Sequence, residues 1–140
     1  MKIKVKYLAD ISPIEKFSVG DMLDLRCAED VTLRKGEYKL IPLGVAMELP
    51  KGYEAHVYPR SSTFGKHKLL MGNSVGVIDC SYCGNTDEWK FPAFAVEDTF
   101  IPKDTRICQF RIFENQPELE FEEVYDLGNE SRGGIGSTGL

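Results

Sequence analysis

The sequence of 140 residues lacks several features that would assign it to a class immediately. It contains no apolar run of about 18 residues, so it predicts no transmembrane helix and no membrane partner. No segment of about 12 residues keeps a helical period, which argues against a helical bundle. The N-terminal stretch MKIKVKYL lacks the continuous apolar core of a signal peptide. We therefore expect a cytoplasmic protein with little helix.

Positive charge is also in short supply. The 17 lysines and arginines are outnumbered by 22 aspartates and glutamates, which gives a net charge of −5 and a pI near 5.1. A nucleic-acid groove needs a clustered basic surface, so no nucleic-acid partner is expected. A phosphorylated small molecule remains compatible with this charge, because a divalent cation can neutralise it. The acidic residues near the C-terminus are interpreted as a solvated strand face and tail rather than as a metal site.

The cysteines are few and mostly isolated. Cys80 and Cys83 form a C-x-x-C, the spacing of half a zinc site or of a redox pair, whereas Cys27 and Cys108 stand alone. A structural zinc site would need a second close pair, and a thioredoxin-like site would need a helical pattern after the C-x-x-C. In a cytosolic protein the thiols should be reduced. We interpret all four as small core or turn residues, with zinc and redox roles as the less favoured alternatives.

Short apolar segments separated by turn formers dominate the rest of the chain. Residues 2–7, 53–58 and 106–113 alternate or nearly alternate, and LIPLGVAMEL at 40–49 is apolar enough for one strand buried on both faces. Strands of this size and spacing predict an all-β sandwich or barrel, with at most a turn or two of helix after Ser61. We expect one domain over residues 1–124. Residues 125–140 carry five glycines and two serines, which indicates a flexible arm that orders only on a ligand or a neighbouring subunit.

Three polar clusters could carry chemistry. PRSSTFGK at 59–66 offers an arginine and hydroxyls suited to phosphate oxygens, although it also fits a strand exit with a capping serine. GNSVGVIDCSYCG at 72–84 suggests a hairpin, and Asp79 at the end of its apolar run suits either a general base or an Asx-turn. SRGGIGSTG at 131–139 lets the backbone approach a polyphosphate, but it lacks the spacing of a Walker P-loop.

Together with GDMLDLRCA at 20–28 and RICQF at 106–110, these clusters resemble the five ordered motifs of the trimeric dUTP pyrophosphatases, the dUTPases. The resemblance spans nearly the whole chain. It implies an all-β, distorted jelly-roll (β-clip) subunit that assembles as a homotrimer and exchanges a C-terminal arm between subunits. Each active site would take motifs one, two and four from one subunit, motif three from a second and motif five from a third. It also implies Mg²⁺-dependent hydrolysis of dUTP to dUMP and pyrophosphate, which keeps uracil out of DNA.

The resemblance also implies roles in the reaction. Asp79 would orient and polarise the water that attacks the α-phosphorus, and Ser61 would lie near the α–β bridge, where leaving-group charge develops. Gln109 would help to fix the phosphate chain and the water. Asp24 would hold Mg²⁺ through bound waters, in keeping with an ion that loses its hydration shell reluctantly.

The remaining implied residues bind substrate. Tyr82 would stack under the deoxyribose and leave no room for a 2′-hydroxyl, while Asn73 and the neighbouring backbone would recognise the uracil edge. Further contacts to the base, the phosphates and the closed arm would come from Val77, Ile78, Arg60, Ser62, Arg132, Gly136, Ser137 and Thr138.

Three departures from the family pattern stand out. Met22 occupies the position of a usual glycine in the first motif, and the fifth motif is about two residues shorter, with Ile135 in place of a stacking phenylalanine. The third motif continues into a long aromatic stretch, NTDEWKFPAF, as in sequences from Gram-positive bacteria and their phages. We expect Phe91, or else Trp89, to replace the missing ring, against the alternative that both pack in the core or at a subunit interface.

Two other functions stay open. A dCTP deaminase, or its bifunctional relative, shares some motif elements, and Glu88 is a loose match to the catalytic glutamate of those enzymes. Phage members of the family can also engage host regulators, and the NTDEWKFP stretch could dock a regulatory protein whose identity the sequence does not give.

Overall fold

The computed structural model describes residues 1–139, which form eleven strands and one short helix. Within these residues no helix has the length and apolar character needed to cross a bilayer. The strands are β1 (Lys4–Tyr7), β2 (Leu23–Arg26), β3 (Val31–Leu33), β4 (Tyr38–Pro42), β5 (Val45–Glu48), β6 (Tyr53–Pro59), β7 (Leu69–Met71), β8 (Gly76–Ile78), β9 (Lys90–Ala95), β10 (Thr99–Ile101) and β11 (Arg106–Glu114), and the helix is α1 (Thr63–His67). The all-β prediction is confirmed, including the single turn of helix soon after Ser61.

Four antiparallel sheets make up the body. The largest has the order β2-β11-β6-β8, the second has the order β4-β9-β7, and β1-β5 and β3-β10 are two-stranded. In the largest sheet Gln109 of β11 lies opposite Asp24 of β2 on one side and Tyr58 of β6 on the other. On the far side of β6, Ala55 pairs with Ile78 of β8. This register sets where each candidate functional residue lies.

The core lies between the sheets and collects the inward-facing residues of nearly every strand. Its largest fully buried side chains include Trp89, Phe91, Leu25 and Ile41. Cys27 and Cys108 are also fully buried, and burial raises the pKa of both thiols, which makes them unreactive. Cys80 and Cys83 lie outside regular structure, and all four cysteines are free. The prediction that the cysteines are core or turn residues is confirmed.

Residues 40–49 do not form the single buried strand that their composition predicts. The segment breaks between β4 and β5, which belong to different sheets. The break falls at Gly44, whose φ of +69° is costly for any residue with a side chain. A Cβ at this position would lie 2.9 Å from Ile11 Cδ1 and 3.1 Å from Ala28 Cβ. A glycine here lets the chain turn sharply against its neighbours and change sheets.

Residues 72–84 are likewise not the predicted hairpin. β7 pairs with β9 and β8 pairs with β6, so the two strands belong to different sheets. The turn between them exists, and the Ser74 N–H donates to the Met71 carbonyl at 3.1 Å. The placement of Asp79 directly after a strand is confirmed, because β8 ends at Ile78.

Phe91 is not placed to close over a ligand. Alternate residues of β9 point into the core, and Phe91 has 0% of its surface exposed. Trp89 is only 1% exposed, with its ring edge-on to Phe110 at a centroid distance of 5.4 Å. The prediction is therefore wrong for Phe91 in this structure, where the alternative of core packing holds. Trp89 is equally buried but also lines the cavity beside β8, so its role as the replacement ring stays a prediction. Sequence alone cannot tell the two apart, because alternation shows two faces without showing which is covered.

We expect Gly44→Ala to destabilise the protein more than Gly36→Ala does. Gly36 also has a positive φ, of +86°, but a Cβ there meets nothing within 4 Å. Gly36→Ala should therefore lower the free energy of unfolding by about 1 kcal/mol through backbone strain alone. Gly44→Ala should cost about 1–3 kcal/mol more, because Ile11 and Ala28 must move. Urea denaturation at one protein concentration measures both, and equal losses would contradict the steric explanation.

Candidate active site

An ion cluster lies where β2, β6 and β11 meet. The Asp24 carboxylate contacts two guanidinium groups, with Oδ1 3.0 Å from Arg60 Nε and Oδ2 3.3 Å from Arg106 Nη1. All three side chains are partly exposed, and the Arg106 guanidinium also lies over the Phe17 ring at 5.5 Å. Two positive charges against one negative charge leave a net positive surface. Such a surface suits an anion with several oxygens, because guanidinium groups bind phosphate through paired hydrogen bonds.

The buried side chain of Thr63 holds the turn that carries Arg60. The Arg60 N–H donates to Thr63 Oγ1 at 2.7 Å, and the fully buried Thr63 hydroxyl donates to the Ile107 carbonyl at 2.8 Å. Gln109 Nε2 donates to the Pro59 carbonyl at 3.0 Å and ties β11 to the same turn. These bonds fix the backbone that presents the cluster.

Ser61 and Ser62 occupy this fixed turn. Ser61 is exposed and Ser62 is partly exposed. Ser62 lies at the N-cap position of α1 but makes no side-chain capping bond, so the capping explanation for these serines fails. Within residues 1–139 neither hydroxyl donates to another protein group, which leaves both available to a ligand.

A second group of candidate residues surrounds a cavity of about 300 Å³ beside β8. The structure brings Asn73, Val77, Ile78, Asp79 and Tyr82 together here. The cavity is lined in full by Val57, Asn73, Gly76, Val77, Ile78, Asp79, Tyr82, Glu88, Trp89 and Lys90. Since β8 is the last strand of its sheet, one of its backbone edges has no neighbouring strand and faces outward with free N–H and C=O groups.

The two oxygens of the Asp79 carboxylate have different surroundings. Oδ1 accepts hydrogen bonds from the Ser81 N–H at 2.7 Å and from the Ser81 hydroxyl. Oδ2 accepts no hydrogen bond from any group within residues 1–139. The Ser81 hydroxyl, followed by the Ser81 N–H, lowers the pKa of Asp79 below its ordinary value. The group is therefore an ionised carboxylate with one oxygen held and the other free to accept a proton or orient a water.

Tyr82 lies one turn further along the same loop. Its N–H donates to the Asp79 carbonyl at 3.2 Å, and its hydroxyl donates to the Glu88 carbonyl at 3.0 Å. The residue is 41% exposed, so part of it is free to contact a ligand while the hydroxyl end is anchored. A carboxylate and an aromatic surface thus stand side by side at the mouth of the cavity.

The two groups of residues lie far apart within one chain. Ile78 pairs with Ala55 near the start of β6, whereas Arg60 follows the other end of β6. At about 3.3 Å per residue, Asp79 and Arg60 are separated by roughly 20 Å along the strand. Asp79 instead shares a cavity with Glu54 at the start of β6. One chain alone therefore does not bring the carboxylate to the arginine cluster.

The predicted arm residues lie apart from both groups. Arg132, Gly136, Ser137 and Thr138 are exposed, as is Ile135. The hydrogen bonds of this segment are local turns, such as the Ser137 N–H donating to the Gly134 carbonyl at 3.0 Å. The structure of the single chain thus gives the arm no ligand-binding role, and that role remains a prediction.

Sequence reasoning assigned no role to Arg106, Thr63 or Ser81. Arg106 begins the RICQF motif, but only the register of β2 with β11 shows that it shares Asp24 with Arg60. Thr63 follows the two serines of PRSST, where its hydroxyl is indistinguishable from theirs until burial is known. Ser81 had a readable signal, because a serine two residues after an aspartate commonly closes an Asx-type turn.

The chain is similar to known proteins along nearly its whole length. A family model described as dUTPase matches residues 9–139. The chain is 57% identical over 140 residues to the SPbeta prophage-derived deoxyuridine 5′-triphosphate nucleotidohydrolase YosS of Bacillus subtilis (strain 168), covering 99% of each sequence. It is 37% identical over 147 residues to the deoxyuridine 5′-triphosphate nucleotidohydrolase of Finegoldia magna, again over 99% of each.

Solved structures share the fold. The dUTPase of Staphylococcus bacteriophage 80alpha, determined with dUpNHpp, superposes with a TM-score of 0.77 at 25% identity over 99% of each chain. A mutant dUTPase of the S. aureus phage phi11, described with a structural Mg(II) ion, gives a TM-score of 0.77 at 18% identity over 91% of this chain and 99% of that one. The all-β fold, with its cavity beside β8 and a separate arginine cluster, is of the dUTPase class. The chain belongs to the dUTPase family.

Removing the Ser81 hydroxyl should raise the pKa of Asp79 toward its ordinary value. Ser81→Ala abolishes the largest cause of the lowered pKa and leaves the backbone donor in place. The ¹³Cγ signal of Asp79, followed by NMR through an acid titration, should then have its midpoint at higher pH than in the wild type. Ser18→Ala, at an exposed position in another part of the chain, serves as the control. An unchanged midpoint in Ser81→Ala would show that the hydroxyl does not stabilise the ionised carboxylate.

Proposed function

We propose that this protein hydrolyses dUTP to dUMP and pyrophosphate by attack of water at the α-phosphorus. The observation that carries the proposal is the Asp79 carboxylate, which has one oxygen held by Ser81 and the other free beside a cavity of about 300 Å³. A general base needs this arrangement, with a fixed orientation and a free acceptor for the proton of water. The names of the curated relatives, which are deoxyuridine 5′-triphosphate nucleotidohydrolases, support the substrate.

The cavity suits a deoxyuridine. The free backbone edge of β8 at Val77 and Ile78 presents donors and acceptors that match the edge of a pyrimidine base, and Asn73 adds an amide. Because the sheet fixes these groups, a base with an added methyl group or a changed hydrogen-bonding edge fits poorly. The exposed Tyr82 ring forms a wall for the sugar, where a 2′-hydroxyl would collide with it.

The arginine cluster suits the triphosphate. Arg60 and Arg106 supply positive charge, while the hydroxyls of Ser61 and Ser62 supply donors that no protein group uses. Gln109 lies in the same row of the sheet as Asp24. Donors placed around the bond between the α- and β-phosphates lower the barrier, since negative charge grows on the leaving pyrophosphate.

Magnesium fits as a partner of the substrate rather than as a resident ion. No group of three or more His, Cys, Asp or Glu side chains is arranged to hold a metal among residues 1–139. Both oxygens of Asp24 contact guanidinium groups, yet a carboxylate retains further lone pairs that can accept from metal-bound water. Asp24 would therefore hold a Mg²⁺ that arrives on the phosphates, through its waters. The ion would neutralise phosphate charge during transfer.

The separation of the two groups supports a site shared between subunits. The α-phosphate must lie within hydrogen-bond reach of both the water on Asp79 and the donors near Arg60, which roughly 20 Å within one chain forbids. A second copy that brings its Asp79 to the Arg60 end of its neighbour resolves the conflict. We infer a homotrimer, in which the C-terminal arm of a third copy supplies Arg132, Gly136, Ser137 and Thr138.

The charge pattern of the chain supports exchange of its C-terminal segment. Residues 118–122 alternate glutamates with Leu119 and Phe121, and no strand partner accepts them within the described residues. β1 is exposed along its whole length and pairs only with β5, and Lys4 and Lys6 lie on it. An alternating acidic strand matches an alternating basic edge, so the segment of one copy can add to β1 of another.

A dCTP deaminase is disfavoured by the position of Glu88. Its carboxylate accepts a hydrogen bond from the Gly44 N–H at 2.9 Å and is partly buried. A side chain engaged in holding the backbone is not free to move protons to and from a substrate.

A pyrophosphate-release assay tests the activity directly. Wild-type protein with Mg²⁺ should release pyrophosphate from dUTP but not from UTP, dCTP, dTTP or the purine deoxynucleotides, and chelation of the metal should suppress turnover. Asp79→Asn should lower kcat by about 10²–10⁴-fold, since the amide cannot accept the proton, while the Kd for dUpNHpp changes little. Asp10→Asn, at an exposed aspartate in another part of the chain, is the control. Near-normal kcat in Asp79→Asn would remove Asp79 as the base, and ammonia release from dCTP would favour the deaminase.

Truncation after Leu127 tests the arm. The shortened protein should stay trimeric by light scattering, because residues 118–122 remain, but its kcat/KM for dUTP should fall at least about tenfold as the phosphates lose their cover from water. Dissociation into monomers would show instead that residues 128–140 hold the subunits together. Full activity would show that the arm takes no part in the reaction.

A further inference from the structure

The loop between β8 and β9 fastens Tyr82 to the body of the protein. The Tyr82 hydroxyl donates to the Glu88 carbonyl at 3.0 Å, six residues along the chain. The Glu88 carboxylate in turn accepts from the Gly44 N–H at 2.9 Å. One residue thus holds the ring through its backbone and the β4–β5 turn through its side chain.

Both ends of this connection are rigid. Gly44 lies at a turn so tight that a Cβ would lie 2.9 Å from Ile11 Cδ1. Beside Glu88, the Trp89 N–H donates to the Val45 carbonyl at 2.9 Å, and the Trp89 side chain is buried in the core. Trp89 thus holds the chain on one side of the Glu88 carbonyl, and the bond from Gly44 to the Glu88 carboxylate holds Glu88 itself. Together they give the tyrosine hydroxyl a stationary acceptor.

We propose that Glu88 is a positioning residue that holds the Tyr82 ring in place and so sets the preference for deoxyribose over ribose. The proposal rests on the proposed function, because it concerns the wall against which the sugar would pack. It also assigns a role to Glu88 within the NTDEWK segment between β8 and β9.

The effect follows from the exposure of the ring. Because Tyr82 is 41% exposed, packing alone does not hold its side chain in one rotamer. A ring that can swing aside admits a 2′-hydroxyl, whereas a ring tied at its hydroxyl does not. Loss of one such hydrogen bond should change the ratio of kcat/KM for UTP to that for dUTP by about 3- to 10-fold.

Three single variants and a control separate this role from general stability. Tyr82→Phe keeps the ring and removes the hydroxyl, and it should raise the UTP/dUTP ratio by about 3- to 10-fold. Glu88→Ala frees the Gly44 turn and should shift the ratio in the same direction. Glu88→Gln should keep the wild-type ratio, because its amide oxygen still accepts from Gly44. Thr86→Ala, at an exposed side chain of the same loop, should also leave the ratio unchanged.

The double variant Tyr82→Phe with Glu88→Ala decides whether the two residues act together. Its UTP/dUTP ratio should equal that of Tyr82→Phe alone. Once the Tyr82 hydroxyl is gone, loss of the Glu88 side chain has no further hydrogen bond to disturb. If the double variant changes the UTP/dUTP ratio by the product of the two single changes, the proposal is overturned. An unchanged ratio in Tyr82→Phe would also overturn it. Hydrogen exchange adds a readout without substrate, in which Glu88→Ala but not Glu88→Gln should speed exchange of the amides of residues 79–83. Equal exchange in both would also overturn it.

The failure of the inference is distinguishable from failure of the function. Wild-type protein that hydrolyses dUTP selectively, with Tyr82→Phe equally selective, would overturn only the role of Glu88. Wild-type protein that does not hydrolyse dUTP would overturn both.

Discussion

The pairing of β6 with β8 on one side and β11 on the other is the constraint on which the functional arrangement depends. Its register places Asp79 beside the start of β6 and Arg60 beyond its end. Hydrogen bonds along three strands make this separation of roughly 20 Å a fixed property of the fold. A reaction that needs both groups must therefore be completed by another copy of the chain. Under the proposed mechanism, the quaternary structure is therefore a requirement of the chemistry.

Each group of candidate residues is held in place by hydrogen bonds from neighbouring residues. Thr63 fixes the turn that carries Arg60, and Ser81 holds one oxygen of Asp79 and lowers the pKa of that carboxylate. Glu88 joins the loop of Tyr82 to the core through the Gly44 turn. Preorganisation of this kind lowers the cost of reaction because the polar groups need not reorient when charge develops. The two groups of candidate residues are small, but the residues that hold them belong to several sheets and loops.

Local patterns predicted the strands well and the changes of sheet poorly. Alternation identified 53–58 and 106–113, since side chains that alternate between core and solvent leave that trace in sequence. Residues 2–7 also contain a strand, although every residue of β1 is exposed in the single chain. Residues 40–49 and 72–84 were assigned wrongly because partner choice is a long-range matter that no local pattern encodes. The prediction that Phe91 closes over the base was wrong for a related reason. An aromatic residue near a motif looks the same in sequence whether its strand turns it toward the ligand or toward the core.

The sequence by itself determined the β class, the family and the residue types available for chemistry, because these follow from composition, spacing and ordered motifs. It also placed Asp79 at the end of a strand and gave the C-terminal segment its glycines and alternating charge. Only the tertiary structure decided that Arg106 shares Asp24 with Arg60, that Asp79 has one free oxygen, and that Tyr82 is tied to Glu88. Those contacts join residues from separate strands and loops, so they exist only once strand pairing has set the distances between them.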